Sequence, residues 1–270
     1  MMQIPSAKMP SLEIIYGANT PNTKPGANAQ WNLEKLKSFV DSPAAISTPK
    51  KRINYLILVE SGMQDEENTI KTYEEALSDL LTQYNVCAGA TRLASRRIPG
   101  MRDMTDKDIR DGMRATIKAI KTDHPQVDFA VLLLKSRSIP IYSAFKDVTD
   151  RYESLQSLCL TQAPNLEYDR ETKTSRCKGD ITQYMANVMM KVNLKFGGGN
   201  HTVQVDNNSK SRIGNTLVGT LVLGADVTHP GGGSLIGCPS IASVVGSVDS
   251  HATKFRGSMR LQEICKAEVS

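Results

Sequence analysis

Tyr142 and Lys146 stand four residues apart in the segment IPIYSAFK (Ile139–Lys146), so on a helix they share one face. A phenol and an ammonium aimed at one spot are what a phosphate needs. The apolar run VDFAVLLLK (Val127–Lys135) precedes them, then a polar turn, Ser136-Arg137-Ser138, and one proline. A strand that feeds a loop and a helix N-terminus is where open α/β sheets bind ligands, and free backbone N–H groups there favour anions. The Tyr-x-x-x-Lys spacing also arises on many solvated helices, so by itself it identifies nothing.

The elements around this segment alternate. INYLILVE (Ile53–Glu60) is apolar in nearly every position, as expected of a strand covered on both faces. Ile70, Tyr73, Leu77, Leu80 and Leu81 follow at helical spacing between Thr69 and Tyr84, and Val86–Ala90 reads as a second strand. Arg92, Arg96, Arg97 and Arg102 are expected on a basic loop. Thr105-x-x-Asp108 opens a helix carrying Ile109, Met113, Ile117 and Ile120. The Tyr142 helix is expected to run toward Leu160, Pro164 to Lys178 to form a polar surface insertion, and Asp180-x-x-Gln183 to cap a helix that ends at Gly197-Gly198-Gly199. This pattern predicts an α/β fold, a Rossmann-like parallel sheet flanked by helices.

Residues 1–50 read as a linker segment, rich in Asn, Pro, Thr and Gly and not the natural start of a protein. After Gly199 three strand patterns, Leu217–Asp226, Ile241–Asp249 and Phe255–Gln262, are spaced as an antiparallel meander. Three strands do not close a domain, so this second unit is expected to be incomplete. The 270 residues carry a net charge of +5, which permits a polyanionic partner. Five scattered cysteines without metal spacing suggest reduced thiols and a cytoplasmic location, with the nucleus as the alternative. No apolar run suits a membrane span.

LGADVTHP (Leu223–Pro230) followed by PSIASVVGSVD (Pro239–Asp249) resembles the opening of the Piwi domain of a eukaryotic Argonaute, of the fungal gene-silencing type. MANVMMKVNLKFGGGN (Met185–Asn200) and IPIYSAFK resemble the MID domain of the same family. The resemblance, over roughly residues 30–262, implies a MID domain at 51–200 that holds the 5′ end of a guide RNA. It also implies the first strands of a ribonuclease-H-like Piwi domain at 201–270. By position, Tyr142, Lys146, Lys191 and Lys195 match the family's 5′-phosphate pocket. Lys191 and Lys195 make a second pair four apart. A terminal phosphate carries close to two negative charges at neutral pH, and each charge-assisted bond to it contributes about 1.5–3 kcal/mol. Tyr142 is also placed to stack on the first base, a contact worth about 1–3 kcal/mol.

Where the family has a pocket glutamine this chain has Leu158, before Cys159, so Ser157 or Gln156 is expected to donate instead. Lys135, Ser136, Arg137, Ser138, Ile139 and Pro140 match the loop that reads the first base, with uridine or adenosine expected. Asp226 matches the first catalytic carboxylate and metal ligand of the Piwi site. Two-metal cleavage needs several such groups, and Glu263 and Glu268 do not align with the family's glutamate. His229 is expected to be structural.

The expectation is therefore a non-catalytic binding module, monomeric and without a cofactor, with a small 5′-phosphorylated guide RNA as partner. A longer parent protein is expected to be an endoribonuclease that uses a divalent metal such as Mg to cut guide-paired target RNA. A dinucleotide or P-loop protein is disfavoured, because neither GxGxxG after a strand nor GxxxxGK[ST] occurs.

Overall fold

The computed structural model describes residues 12–18, 20–28, 30–31, 38–40, 52–63, 65–98, 104–161, 166–169, 171, 174–177, 181–204, 219–231, 234, 237–249 and 252–262. They fall into two compact units, one within 16–21 and 32–200, the other within 1–15, 22–31 and 201–270.

The larger unit is built on four parallel strands, β2 (Ile53–Glu60), β3 (Ala90–Ile98), β4 (Phe129–Leu134) and β5 (Gln156–Thr161), ordered β3-β2-β4-β5. The chain returns across the sheet after β3, so β2 and β4 meet at the point where strand order reverses. All six residues of β4 are buried, as a central strand with helices on both faces requires.

Alternation along the strands assigns the two faces. Leu56, Leu58, Ala130, Leu132 and Leu134 pack with Met113, Ile117 and Ile120 of α2 (Asp106–Asp123) and with Ile141 and Phe145 of α3 (Ile139–Asp147). Phe129, one residue out of that phase, meets Phe196 at the end of α4 (Thr182–Lys195), and α4 packs with α1 (Glu66–Gln83). The start of α2 is a full capping box: Asp108 N–H donates to Thr105 Oγ1 (3.2 Å) and Thr105 N–H to the Asp108 carboxylate (3.1 Å).

Several local expectations are corrected. Arg92, Arg96 and Arg97 lie on β3, not on a loop; the strand is at the sheet edge, which leaves long polar side chains in solvent. Arg102 lies outside the described residues. The Tyr142 helix stops at Asp147 and passes into one π-helical turn, Val148–Tyr152. Lys121 fixes that turn by donating to the Glu153 carbonyl (2.7 Å) and pairing with its carboxylate (3.1 Å). Residues 156–161 are therefore a strand, whose buried Leu158 and Leu160 alternate with Cys159. The N-cap of α4 is Ile181, without a side-chain bond, and Asp180 lies outside the described residues. The polar insertion contains an antiparallel pair, β6 (Leu166–Asp169) and β7 (Thr174–Cys177).

In the smaller unit β1 (Glu13–Ile15), within the stretch read as linker, pairs antiparallel with β8 (Thr202–Gln204). β9 (Leu223–Thr228), β10 (Ile241–Ser247) and β11 (Phe255–Leu261) form the expected antiparallel meander. β9 begins later than its apolar pattern suggests. Gly219, at φ 71°, turns the chain before it.

Candidate functional site

Lys146 is the centre of the polar cluster. It sits in the last turn of α3, where its Nζ donates to Ser157 Oγ (2.7 Å) and Asp150 Oδ1 (2.9 Å). Ser157 faces α3 because β5 pairs it with Ala130, a residue of the core on that side. The Ser157 and Thr149 hydroxyl oxygens are 2.9 Å apart, and Thr149 Oγ1 donates to the Phe145 carbonyl (2.9 Å). Ser157 Oγ thus accepts from Lys146, and the Thr149 hydroxyl hydrogen has both Ser157 Oγ and the Phe145 carbonyl within reach. Ser157 is only 1% exposed. Through the bond from Lys146 it holds that ammonium against the edge strand. Leu158 is buried and pairs with Val131, on the opposite face of β5, while Gln156 is exposed.

Lys195 comes from α4. Burial holds its ammonium below the usual lysine range; the Lys146 charge pushes the same way, Asp150 opposes, and Lys191, one turn earlier and exposed, adds to the depression. β5 is an edge strand, so helices on opposite faces can bring their cations together around it. The end of α4 is fixed by a Schellman motif. Gly198 N–H donates to the Asn193 carbonyl (2.9 Å), Gly197 N–H donates to that of Leu194 (3.0 Å), and Gly197 adopts φ 88°. Asn193, fully buried, donates to Asn200 Oδ1 (3.0 Å), and Asn200 donates to the Met190 carbonyl (3.1 Å). Cys159, pushed up to about 11 by burial against the opposing Lys146 charge, is a neutral thiol.

Tyr142 lies one turn before Lys146 with 48% of its surface exposed. At the other end of α3 the loop residues Lys135, Ser136, Arg137, Ile139 and Pro140 are exposed and Ser138 is half-buried. Ser138 is the N-cap and makes no side-chain bond to the first turn. Glu60, the last residue of β2, holds the base of this loop: Lys135 N–H donates to Glu60 Oε2 (2.9 Å) and Lys135 Nζ lies 3.9 Å from Oε1. Cations thus stand at both ends of α3, Lys135 and Arg137 on the loop before it and Lys146 in its last turn.

Asp226 is in the other unit, exposed on β9, where its Oδ1 accepts from Val227 N–H (2.9 Å). Among the described residues no three His, Cys, Asp or Glu gather as metal ligands, so the carboxylate set of a two-metal site is not assembled by them. His229 Nδ1 lies 2.8 Å from Oγ of the buried Ser240. The arginines of β3 are partly neutralised, Arg92 by Glu74 (3.0 Å) and Arg97 by Glu66 (2.8 Å). Sequence reasoning missed Glu60, Thr149 and Asp150. Only Asp150 had a local signal, its i, i+4 spacing from Lys146.

Residues 129–269, just over half of the chain, match the Piwi domain. The chain is 27% identical to the Schizosaccharomyces pombe protein argonaute over 267 residues, covering 97% of this chain and 28% of that protein. It therefore spans little more than a quarter of the curated relative. Among solved structures, the Kluyveromyces polysporus Argonaute with a guide RNA matches 96% of this chain and 28% of its own (TM-score 0.68, 20% identity). The C-terminal lobe of a budding yeast Argonaute matches 98% of this chain and 54% of its own (TM-score 0.66, 19% identity). The MID-PIWI domains of Neurospora crassa QDE-2 AGO match 78% and 52% (TM-score 0.51, 24% identity). No helix among the described residues is long and apolar enough to cross a membrane. With a family match over more than half its length, on the parallel sheet and meander described above, this chain belongs to the Piwi-domain family, among whose fungal members are the Argonautes it is similar to.

Proposed function

We propose that the larger unit is a MID domain that anchors the 5′-monophosphate and first nucleotide of a small guide RNA, as part of an Argonaute in RNA silencing. The observation that carries this reading is the Lys146 ammonium, held at the edge strand by Ser157 (2.7 Å) one turn from the exposed Tyr142 ring, with Lys195 near enough for the two charges to act on each other. Like charges are held together at a cost that a bound anion relieves. Along α3 the exposed loop, the Tyr142 ring and the Lys146 ammonium follow in line over about 10 Å, at 1.5 Å per residue, so base, stacking platform and phosphate have separate places.

The test is a titration of uridine 5′-monophosphate and of uridine on the wild type, Lys195→Ala and Tyr142→Ala. The monophosphate binds more tightly than uridine to the wild type, and Lys195→Ala erases most of the difference. Tyr142→Ala weakens both ligands, through the lost stacking. Equal wild-type affinity for the two ligands would overturn the proposal.

Residues 201–270 are read as the N-terminal part of a Piwi domain. Asp226 would there be the first carboxylate of a metal-dependent endoribonuclease site in a longer protein, acting on guide-paired target RNA. This stretch is read as non-catalytic, since one carboxylate does not hold two metal ions.

A further inference from the structure

Asp150 is an unexpected neighbour for a phosphate. Its Oδ1 lies 2.9 Å from Lys146 Nζ, and half of its side-chain surface remains in solvent (51%). The other acids nearby are already matched: Asp147 accepts from Arg151 (2.8 Å) and Glu153 pairs with Lys121 (3.1 Å). The Cys159 thiol is neutral. Lys146 and Asp150 are paired at 2.9 Å, and both act on Lys195 together with Lys191, so among the described residues Asp150 is the acid that stands beside these three cations.

We propose that Asp150 is a specificity-determining residue, which lowers the charge of the site to a value matched to a dianionic terminal phosphate monoester and so disfavours a more highly charged polyphosphate end. The inference rests on the phosphate-anchoring reading above. Lys146 keeps one N–H for a ligand, because Ser157 and Asp150 take two of its three. A monoester dianion balances the remaining charge. A triphosphate brings further negative charge toward a fixed carboxylate that no described arginine or lysine other than Lys146 pairs with.

The experiment compares uridine, its 5′-monophosphate and its 5′-triphosphate on the wild type, Asp150→Asn and Asp150→Glu. The wild type prefers the monophosphate. In Asp150→Asn the ratio of triphosphate to monophosphate affinity rises about fivefold, the effect in water of one unit charge on two more at ~8 Å. Asp150→Glu keeps the charge, and with it the wild-type ratio, so a purely steric role is separated from an electrostatic one. A ratio in Asp150→Asn within twofold of wild type, with the monophosphate still preferred over uridine, would overturn the charge assignment and leave phosphate anchoring standing. If wild-type protein bound uridine and its monophosphate equally, the anchoring reading itself would fall.

Discussion

Lys146 Nζ lies 2.7 Å from Ser157 Oγ, so one ammonium ties α3 to the edge strand β5. Ser157→Ala removes the acceptor for Lys146 and the partner of the buried Thr149 hydroxyl. We expect about 1–2 kcal/mol of lost stability in urea unfolding. Phosphate affinity falls as well, but less than in Lys195→Ala, because the charge remains and only its placement loosens.

The depressed ionisation of Lys195 has a sign that experiment can read. The folded state holds this proton less firmly than the unfolded chain, so the site's cost to folding is fully present below the folded value. That cost is relieved as pH rises through the folded value toward the ordinary lysine range. A bound phosphate favours the charged form, so binding takes up a proton in that window, and affinity declines as pH rises through it. Lys191→Met removes a depressing charge and moves this alkaline limb to higher pH. Asp150→Asn removes the opposing charge and moves it lower. Calorimetric titration in buffers of different ionisation enthalpy measures the proton uptake.

Gly197 and Gly198 predict different losses. At Gly197 the strain of φ 88° makes alanine cost about 1 kcal/mol while the site stays formed. A Cβ on Gly198 would run into the buried Asn193 amide. Gly198→Ala is expected to cost about 3 kcal/mol and to weaken phosphate binding, since Asn193 lies in the turn that carries Lys195. Thermal unfolding and monophosphate titration of both variants make the comparison.

Glu60 holds the loop at the other end of the proposed site. Glu60→Ala frees the Lys135 backbone at the base of the loop. The affinity gained from the 5′-phosphate should stay unchanged, while discrimination among the four nucleoside monophosphates narrows. A drop in phosphate gain equal to the drop in discrimination would show that the loop and the cation cluster are not separate.

The meander β9–β11 leaves large apolar side chains in solvent, with Leu223, Met259 and Leu261 more than 60% exposed. Such a patch binds hydrophobic dyes and promotes association. Met259→Lys with Leu261→Lys should lower dye fluorescence and self-association in sedimentation, without changing monophosphate affinity.

The parallel core was legible because its strands are continuous apolar runs: β2 falls on the residues that the pattern marks, and β4 within a residue or two at each end. The helical stripes of α1 and α2 were legible for the same reason. β3 was not. Five polar residues in an edge strand carry no two-residue alternation, and a register irregularity at Tyr55/Leu56 shifts its phase. The site was half legible. Paired lysines at helical spacing are local and visible, whereas Glu60 meets Lys135, and Ser157 meets Lys146, only through strand pairing. A single-turn π-helix leaves no pattern that distinguishes it from the helix before it.

Lys146 and Lys195 are brought together by folds of chain that include β5 and the hairpin β6–β7. Any anion bridging them is thus a noncovalent cross-link between segments about fifty residues apart. Such a link acts most on states in which α4 has peeled from the sheet edge, since only those states lose the bridge. A guide's 5′ end would then slow the undocking of α4 as well as occupy a pocket, so the lifetime of the loaded protein and the integrity of its fold would be set by the same contact.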